Sequence, residues 1–284
     1  MFAPEGPTVR ELAVQALSSV ERGYDLLAPK FDLTPFRTPD AVLDAVARVL
    51  RPLGPFDRGL DLCCGTGAGM DVLAQVCRRS ITGLDISAGM LARGRAGWPR
   101  ARRGPAPQPW PTAAAGPAPS TGPVQSVRPL AAPRPARGAA PTRARVGWVR
   151  ADAMALPFGA AFDLVVSFGA FGHFLPSARP ALFTQVKRVL RPGGRFVFPV
   201  VAPARPGSRG YWMLLGFDMA MRVRNAVWRP PFVMYYRTFP PGRVCRELRQ
   251  AGFGVRVRAL PELGLRPDGS PRCAVIVATL PDGR

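Results

Sequence analysis

Histidine is nearly absent: His173 is the only one in 284 residues. Lysine is almost as scarce, with Lys30 and Lys187 its only examples, so nearly all of the 39 basic side chains are arginine. The five cysteines, Cys63, Cys64, Cys77, Cys245 and Cys273, form no CxxC pair. With a single histidine to help them, the usual zinc ligand spacings are excluded and no metal site is expected. Their odd number and the adjacency of two of them argue against a disulfide framework, which points to a reducing, cytoplasmic compartment. No run of about 18 uncharged apolar residues occurs. The opening MFAPEGPTVRELAV lacks a basic segment followed by an apolar one. The sequence therefore predicts neither a transmembrane helix nor an export signal.

Acidic residues are also few, 18 against 39 basic ones, for a net charge of +21. Such a balance ordinarily points to nucleic acid or an anionic membrane surface. The arginine bias and the 34 prolines resemble the composition of a GC-rich genome, which weakens that inference. The deficit is local as well. Residues 97–145 contain no acidic residue, 12 prolines and eight arginines. Too few large apolar side chains are present there to offset the entropy of ordering, so a disordered or polyproline-II-like insertion is predicted. Elsewhere, an apolar content of 47% over the whole chain is enough to build a core.

The flanks of that insertion alternate short apolar runs with helical patterns. Thr38-Pro39 has the form of a helix start, with Thr38 as N-cap and Pro39 in the first helical position. Val42, Val46, Val49 and Leu50 then make an apolar stripe that ends at Pro52 and Gly54. Beyond it the pattern predicts a strand ending near Cys63, a helix over 69–77, a strand over 80–84 and a helix over 87–95. Further strands are predicted at 147–150, 162–167, 195–200, 254–258 and 273–280, with helices at 179–190 and 242–251. This order predicts an α/β fold with a mostly parallel sheet and helices on both faces. Ligands of such sheets sit beyond the carboxyl ends of the strands.

The chemistry is concentrated at two of those ends. GLDLCCGTGAG, residues 59–69, is an apolar strand with Asp61 near its end, followed by Gly65 and Gly67 in the turn before a helix. Glycine serves there because the backbone turns tightly and a ligand must approach without a Cβ in the way. ITGLDIS then places Asp85 at the end of the next strand, where a carboxylate accepts hydrogen bonds from both hydroxyls of a ribose. Together they point to an adenosine-type cofactor. A nicotinamide dinucleotide is disfavoured, because its pattern needs a third glycine where Met70 stands.

With these motifs the chain resembles the class I S-adenosylmethionine-dependent methyltransferases. Four further segments match in order: RADAMALPF with Asp152 and Ala153, FDLVVSFGAFGHF over 162–174, VLRPGGRFVF over 189–198, and AGFGVRVRAL followed by CAVIVATL. The resemblance implies a Rossmann-like seven-stranded sheet, mostly parallel, with the last strand antiparallel. It implies S-adenosyl-L-methionine as cofactor, held by Asp61, Cys63, Gly65, Thr66, Gly67, Asp85, Ile86, Met90, Asp152, Ala153, Ser167 and Phe168. One departure is Cys63, which stands where the family usually has glycine. Cys63 and Cys64 read as small packing residues.

The resemblance divides the chain into an N-terminal helical lid over 1–57, a methyltransferase domain over 58–96 and 146–284 split by the insertion 97–145, and a substrate cover over 203–240. Two residues are candidates for catalysis. His173 follows the fourth strand near the expected methyl group and has the pKa of a general base, or else lines the pocket. Tyr24, in RGYDLLAPKFD, touches the methionine end of the cofactor, or else packs the lid helix on the sheet. Asp163 is expected to order the start of its strand. The cover is rich in Met, Trp and Tyr, which suits an apolar or lipidic acceptor. A small-molecule acceptor is the favoured partner. Nucleic acid is second, since SFGAFG after the fourth strand lacks the pattern of base methylation, and a non-catalytic cofactor- or partner-binding protein is third.

Overall fold

The computed structural model describes residues 5–34, 36–99, 144–235 and 239–282. Its centre is a seven-stranded sheet in the order β3-β2-β1-β4-β5-β7-β6. The strands are β1 (Phe56–Leu62), β2 (Cys77–Asp85), β3 (Arg145–Arg150), β4 (Phe162–Val166), β5 (Leu190–Val201), β6 (Gly254–Ala259) and β7 (Cys273–Thr279). β1 pairs in parallel with β2 and β4, β2 with β3, and β4 with β5. β7 runs antiparallel to both of its neighbours, β5 and β6. The sheet is therefore mostly parallel with its last strand reversed, as the motifs predict. The strand order turns back at β1, and that switch point opens a crevice beyond the carboxyl ends of β1 and β4.

The helices are α1 (Val9–Leu17), α2 (Val20–Leu27), α3 (Asp40–Leu50), α4 (Ala68–Val76), α5 (Ala88–Gly97), α6 (Arg179–Val189), α7 (Arg209–Val227) and α8 (Pro241–Gln250). Successive strand residues alternate between two cores. Phe196, Phe198 and Val165 pack with α6 and α8, while Val197, Leu164 and Val166 pack with α3 and α4. A period of two with both sets buried is what a sheet covered on both faces requires. Each fully buried Phe or Leu contributes roughly 1.5–3 kcal/mol. A third, smaller cluster joins Met221, Phe232 and Tyr235 to Val20 and Tyr24. The two sheet edges, β3 and β6, expose Arg145 and Arg150, and Arg256 and Arg258.

Several boundaries differ from the sequence reading. Thr38 does not cap α3: the cap is Pro39, whose side chain offers no hydrogen bond, and Asp40 opens the helix with a carboxylate in its first turn. Cys77 opens β2 instead of closing α4, which ends at Val76. β5 starts at Leu190, not Arg195, because the Pro192-Gly193-Gly194 turn is a bulge within it: Leu190 pairs with Phe162 and Arg195 with Leu164. The predicted insertion loses its ends to regular structure, Gly97 to α5 and Arg145 to β3. Its residues 100–143 lie outside the described residues. Arg145 pairs with Ser80 at the amino end of β2, far from the crevice.

Two carboxylates tie layers together. Asp163 Oδ2 accepts from the backbone N–H of Asp57 (3.0 Å) and Arg58 (2.8 Å), so it fixes the start of β4 against β1. Glu247 on α8 grips Arg179 on α6 with two bonds of 2.6 and 2.8 Å, and the Arg179 side chain is 0% exposed. The guanidinium holds the Glu247 carboxyl below the usual range. Removing one partner of such a pair leaves a buried charge uncompensated. Glu247→Ala is expected to lose about 3 kcal/mol of stability in urea denaturation, while Arg243→Ala, which removes only an exposed ion pair to the same carboxylate, stays within about 1 kcal/mol of the parent.

Candidate functional site

Everything at the crevice is arranged around the turn from β1 into α4. Cys63, Gly65 and Gly67 have φ of 57°, 52° and 90°, so three of five consecutive residues are left-handed. Glycine occupies that region freely, whereas a side chain there costs roughly 1–2 kcal/mol. Cys63 is the one non-glycine residue with positive φ among the described residues. The family's usual glycine at this position thus has a backbone reason. A Cβ on Gly67 would stand 2.6 Å from Trp148 Cη2, so the loop lies pressed against an indole from β3. A Cβ on Gly65 would meet nothing within 4 Å, which leaves open space above the turn.

Neighbouring strands hold the turn. Cys64 N–H donates to Leu84 O at 2.9 Å and Gly65 N–H donates to Asp85 Oδ2 at 2.8 Å. The other Asp85 oxygen accepts from Ser87 N–H at 2.9 Å. Burial pushes the Asp85 carboxyl up, and these backbone donors draw it back. Asp61 is 1% exposed and no hydrogen bond of good geometry reaches either oxygen. Burial raises its pKa well above 3.8, Asp85 raises it further, and the N–H groups of Gly69 and Met70 at the start of α4 oppose them. Only a glycine at position 69 admits that carboxylate, since a Cβ would fall 2.4 Å from Oδ1. Burial likewise pushes up the Cys63 thiol, assisted by Asp85, Asp61 and Asp152 around it, so it is no activated nucleophile.

The remaining predicted cofactor residues divide into two groups. Ile86 is 38% exposed beside Asp85, and Asp152, also exposed, follows β3 and closes a turn by accepting from Met154 N–H at 2.8 Å. Ala151 N–H donates to Asp85 O at 3.1 Å, which brings the RADAM segment alongside the second strand. Thr66 is buried and its hydroxyl donates to Asp32 at 2.8 Å. Ala153, Met90, Ser167 and Phe168 are buried too. Met90 N–H is taken by the Ser87 cap of α5, and Ser167 Oγ donates to Leu62 O at 2.8 Å, locking β4 to β1. In this arrangement Met90 and Ser167 act as packing and as a brace.

Sequence reasoning passed over the residues that bring α2 onto these loops. Asp25 Oδ1 accepts from Ser87 Oγ (2.6 Å) and Gly89 N–H (2.8 Å), capping α5 from outside. Asp32 holds Thr66, and Glu21 pairs with Arg150, whose Nε donates to Ile86 O. Both aspartates stand in RGYDLLAPKFD, where only Tyr24 drew notice; no local pattern marks their partners. Trp148 was missed as well.

Tyr24 and His173 meet. Tyr24 Oη and His173 Nε2 are 2.8 Å apart, and His173 Nδ1 stands 2.6 Å from Val233 O. A carbonyl only accepts, so Nδ1 carries the hydrogen and Nε2 accepts from the phenol when the ring is neutral. Burial lowers the His173 pKa, which favours that neutral form. The segment supplying Val233 is itself clamped. Tyr235 N–H donates to Gly172 O at 2.8 Å, and Asn225 on α7 bonds both the N–H and the carbonyl of Phe232 (2.9 and 3.1 Å). Two surface cavities lie elsewhere. One of about 410 Å³ is lined by residues in and around α1 and α2, among them Pro7, Val14 and Leu26, and one of about 390 Å³ adjoins Pro55 and Asp163 at the opposite end of the sheet.

A glycine turn at the switch point, a carboxylate on the next strand and a reversed seventh strand define the class I methyltransferase fold. The chain belongs to the methyltransferase-domain family, whose model matches residues 36–256. An uncharacterised methyltransferase of Synechocystis sp. is 26% identical over 178 residues, covering 62% of this chain and 61% of that protein, so the chain spans about three fifths of its relative's length. Among solved structures, the complex between the Haloferax volcanii Trm112 methyltransferase activator and a methyltransferase matches with TM-score 0.57 at 16% identity, covering 94% of this chain and 99% of that one. A putative O-methyltransferase of Nostoc punctiforme matches with TM-score 0.57 at 15% identity, covering 93% and 62%. These likenesses establish the fold.

Two predictions follow from the turn and its carboxylate. Cys63→Gly is expected to be about 1 kcal/mol more stable than Cys63→Ala in thermal unfolding, because both lose the thiol and only alanine keeps a Cβ in the left-handed region. For Asp61, the folded pKa lies above the unfolded one, so the native state holds more protons between them and stability falls as pH rises through that window. Asp61→Asn is therefore expected to gain stability over the parent at about pH 7, and the gain should shrink toward about pH 5, as read by urea denaturation at both.

Proposed function

We propose that this protein transfers a methyl group from S-adenosylmethionine to a small-molecule acceptor that loses a proton in the reaction. The single observation carrying the cofactor half is the combination at one turn of a buried carboxylate, Asp61, beneath the first N–H groups of α4, with open space above Gly65. A buried carboxylate with no side-chain donor beside it suits a ligand that brings positive charge and N–H donors, as the amino-acid end of this cofactor does. Asp85, which accepts from backbone N–H groups, keeps acceptor capacity for a ribose hydroxyl, and exposed Ile86 and Asp152 offer an apolar face and an acceptor for a base. The residues present fit the group.

When bound, S-adenosylmethionine would supply an electrophilic methyl on a sulfonium centre, open to in-line attack by the acceptor with the sulfur leaving as a neutral thioether. The protein's part is alignment, exclusion of water and removal of a proton. Asp25 and Glu21 on α2 and Asp32 in the segment after it hold this part of the chain across the loops, which suits a lid. Tyr24 Oη accepts a proton from the acceptor hydroxyl or amine as it passes its own to His173 Nε2, while Nδ1–H stays on Val233 O. A ring kept neutral by burial is ready to take that proton near neutral pH. The pair thus favours an oxygen or nitrogen acceptor over carbon.

Calorimetry with S-adenosylmethionine and, separately, NADH tests the cofactor assignment: binding of the first alone is expected. Asp85→Ala should weaken it by about 1.5–3 kcal/mol, the value of a charge-assisted hydrogen bond, and unchanged affinity would remove Asp85 from the site. With an acceptor in hand, Tyr24→Phe is expected to lower kcat by about 10²-fold or more with little change in cofactor affinity. An equal loss of cofactor affinity would make Tyr24 a packing residue of the lid.

A further inference from the structure

The outer face of α7 has no partner among the described residues. Its inner face carries Met221, Asp218 and Asn225 toward the Phe232–Tyr235 strap, and both Met221 and Asp218 are buried. On the opposite side Trp212, Met219, Val223 and Val227 are 60, 52, 60 and 78% exposed. Their spacing of seven, four and four residues places them on one stripe of the helix. The stripe continues past Trp228, whose Nε1 donates to Leu17 O at 3.1 Å, onto exposed Leu17 and Val14 of α1. A continuous apolar surface of this kind marks an interaction site.

Charge says what fits it. From Arg205 to Arg246 the only acidic residue is Asp218, which faces inward, while Arg209, Arg222 and Arg229 are exposed at the ends and flank of the stripe. The carboxylates on α1 and α2 are engaged, Glu11 with Lys30, Glu21 with Arg150 and Asp25 with Ser87 and Gly89. A second copy docked face to face would set arginines against arginines. An anionic bilayer satisfies both features, with phosphates for the guanidinium groups and the acyl boundary for Trp, Met and Val. No helix among the described residues is long and apolar enough to cross a membrane, so α7 would lie in the plane of the interface. We infer that α7 seats the protein on an anionic lipid surface, stripe downward.

Co-sedimentation of the full chain with phosphatidylcholine vesicles, with and without phosphatidylglycerol, tests this together with tryptophan quenching by brominated acyl chains. Binding to the anionic vesicles alone is expected, with quenching that falls in Trp212→Phe. The double variant Trp212→Gln, Val223→Gln keeps the net charge and alters only exposed positions; its binding should drop at least tenfold. Equal binding by parent and variant would assign the attraction to net charge alone and overturn the inference, as would absence of acyl-chain quenching. Light scattering that shows a dimer lost in the same variant would give the face to a second copy and also overturn it.

Discussion

The constraint on which the rest depends is the left-handed backbone between β1 and α4. Three residues of positive φ reverse the chain so that α4 begins directly over the buried Asp61, and each neighbour is fitted to that reversal. Asp85 holds Gly65 from β2, Trp148 presses Gly67 from β3, and Asp32 reaches Thr66 from the segment after α2. A parallel sheet covered on both faces leaves its polar ends as the one place where such a loop and a polar ligand can share donors and acceptors. That the chain tolerates Cys63 inside this loop shows how strongly the surroundings impose the conformation.

Much of this was legible before any coordinates. Strand positions follow from apolar runs and punctuation by Gly and Pro, which act locally, whereas the reversed last strand was legible only through the resemblance of the tail to the family. The position of Asp85 at the end of its strand was legible from the apolar run before it; that it also holds the N–H groups of Gly65 and Ser87 was not. What stayed hidden is long-range: Asp25 meeting Ser87 and Gly89, Glu21 meeting Arg150, and Asn225 clamping the Phe232 backbone join segments whose partners no local pattern names. The Thr38 cap failed for a similar reason, since where a helix starts was settled by tertiary packing of α3 and not by the capping preference. Met90 and Ser167, which the resemblance counts among the cofactor residues, lie buried, and a sequence pattern gives no depth.

Three distant parts of the chain converge on one imidazole. Tyr24 comes from α2, His173 from the loop after β4, and Val233 from the strap after α7. The geometry of His173 is therefore set by two elements that both belong outside the sheet and pack against each other. Rigid strands deliver the histidine; the covering segments decide its tautomer and what it can reach. Such a division lets covering segments vary between relatives while the sheet and its glycine turn remain alike.

The arginines at the sheet edges give the basic composition a use unconnected with any ligand. β3 ends the sheet with Arg145 and Arg150, and β6 ends it with Arg256 and Arg258. A free edge strand is a template on which another copy can add its own strand and begin to polymerise. If two β6 edges approached in that manner, guanidinium groups would come to lie opposite one another, and like charges directly across a pair oppose its formation. Arginines on the outer strands thus oppose edge-to-edge pairing, a use of positive charge that needs no ligand.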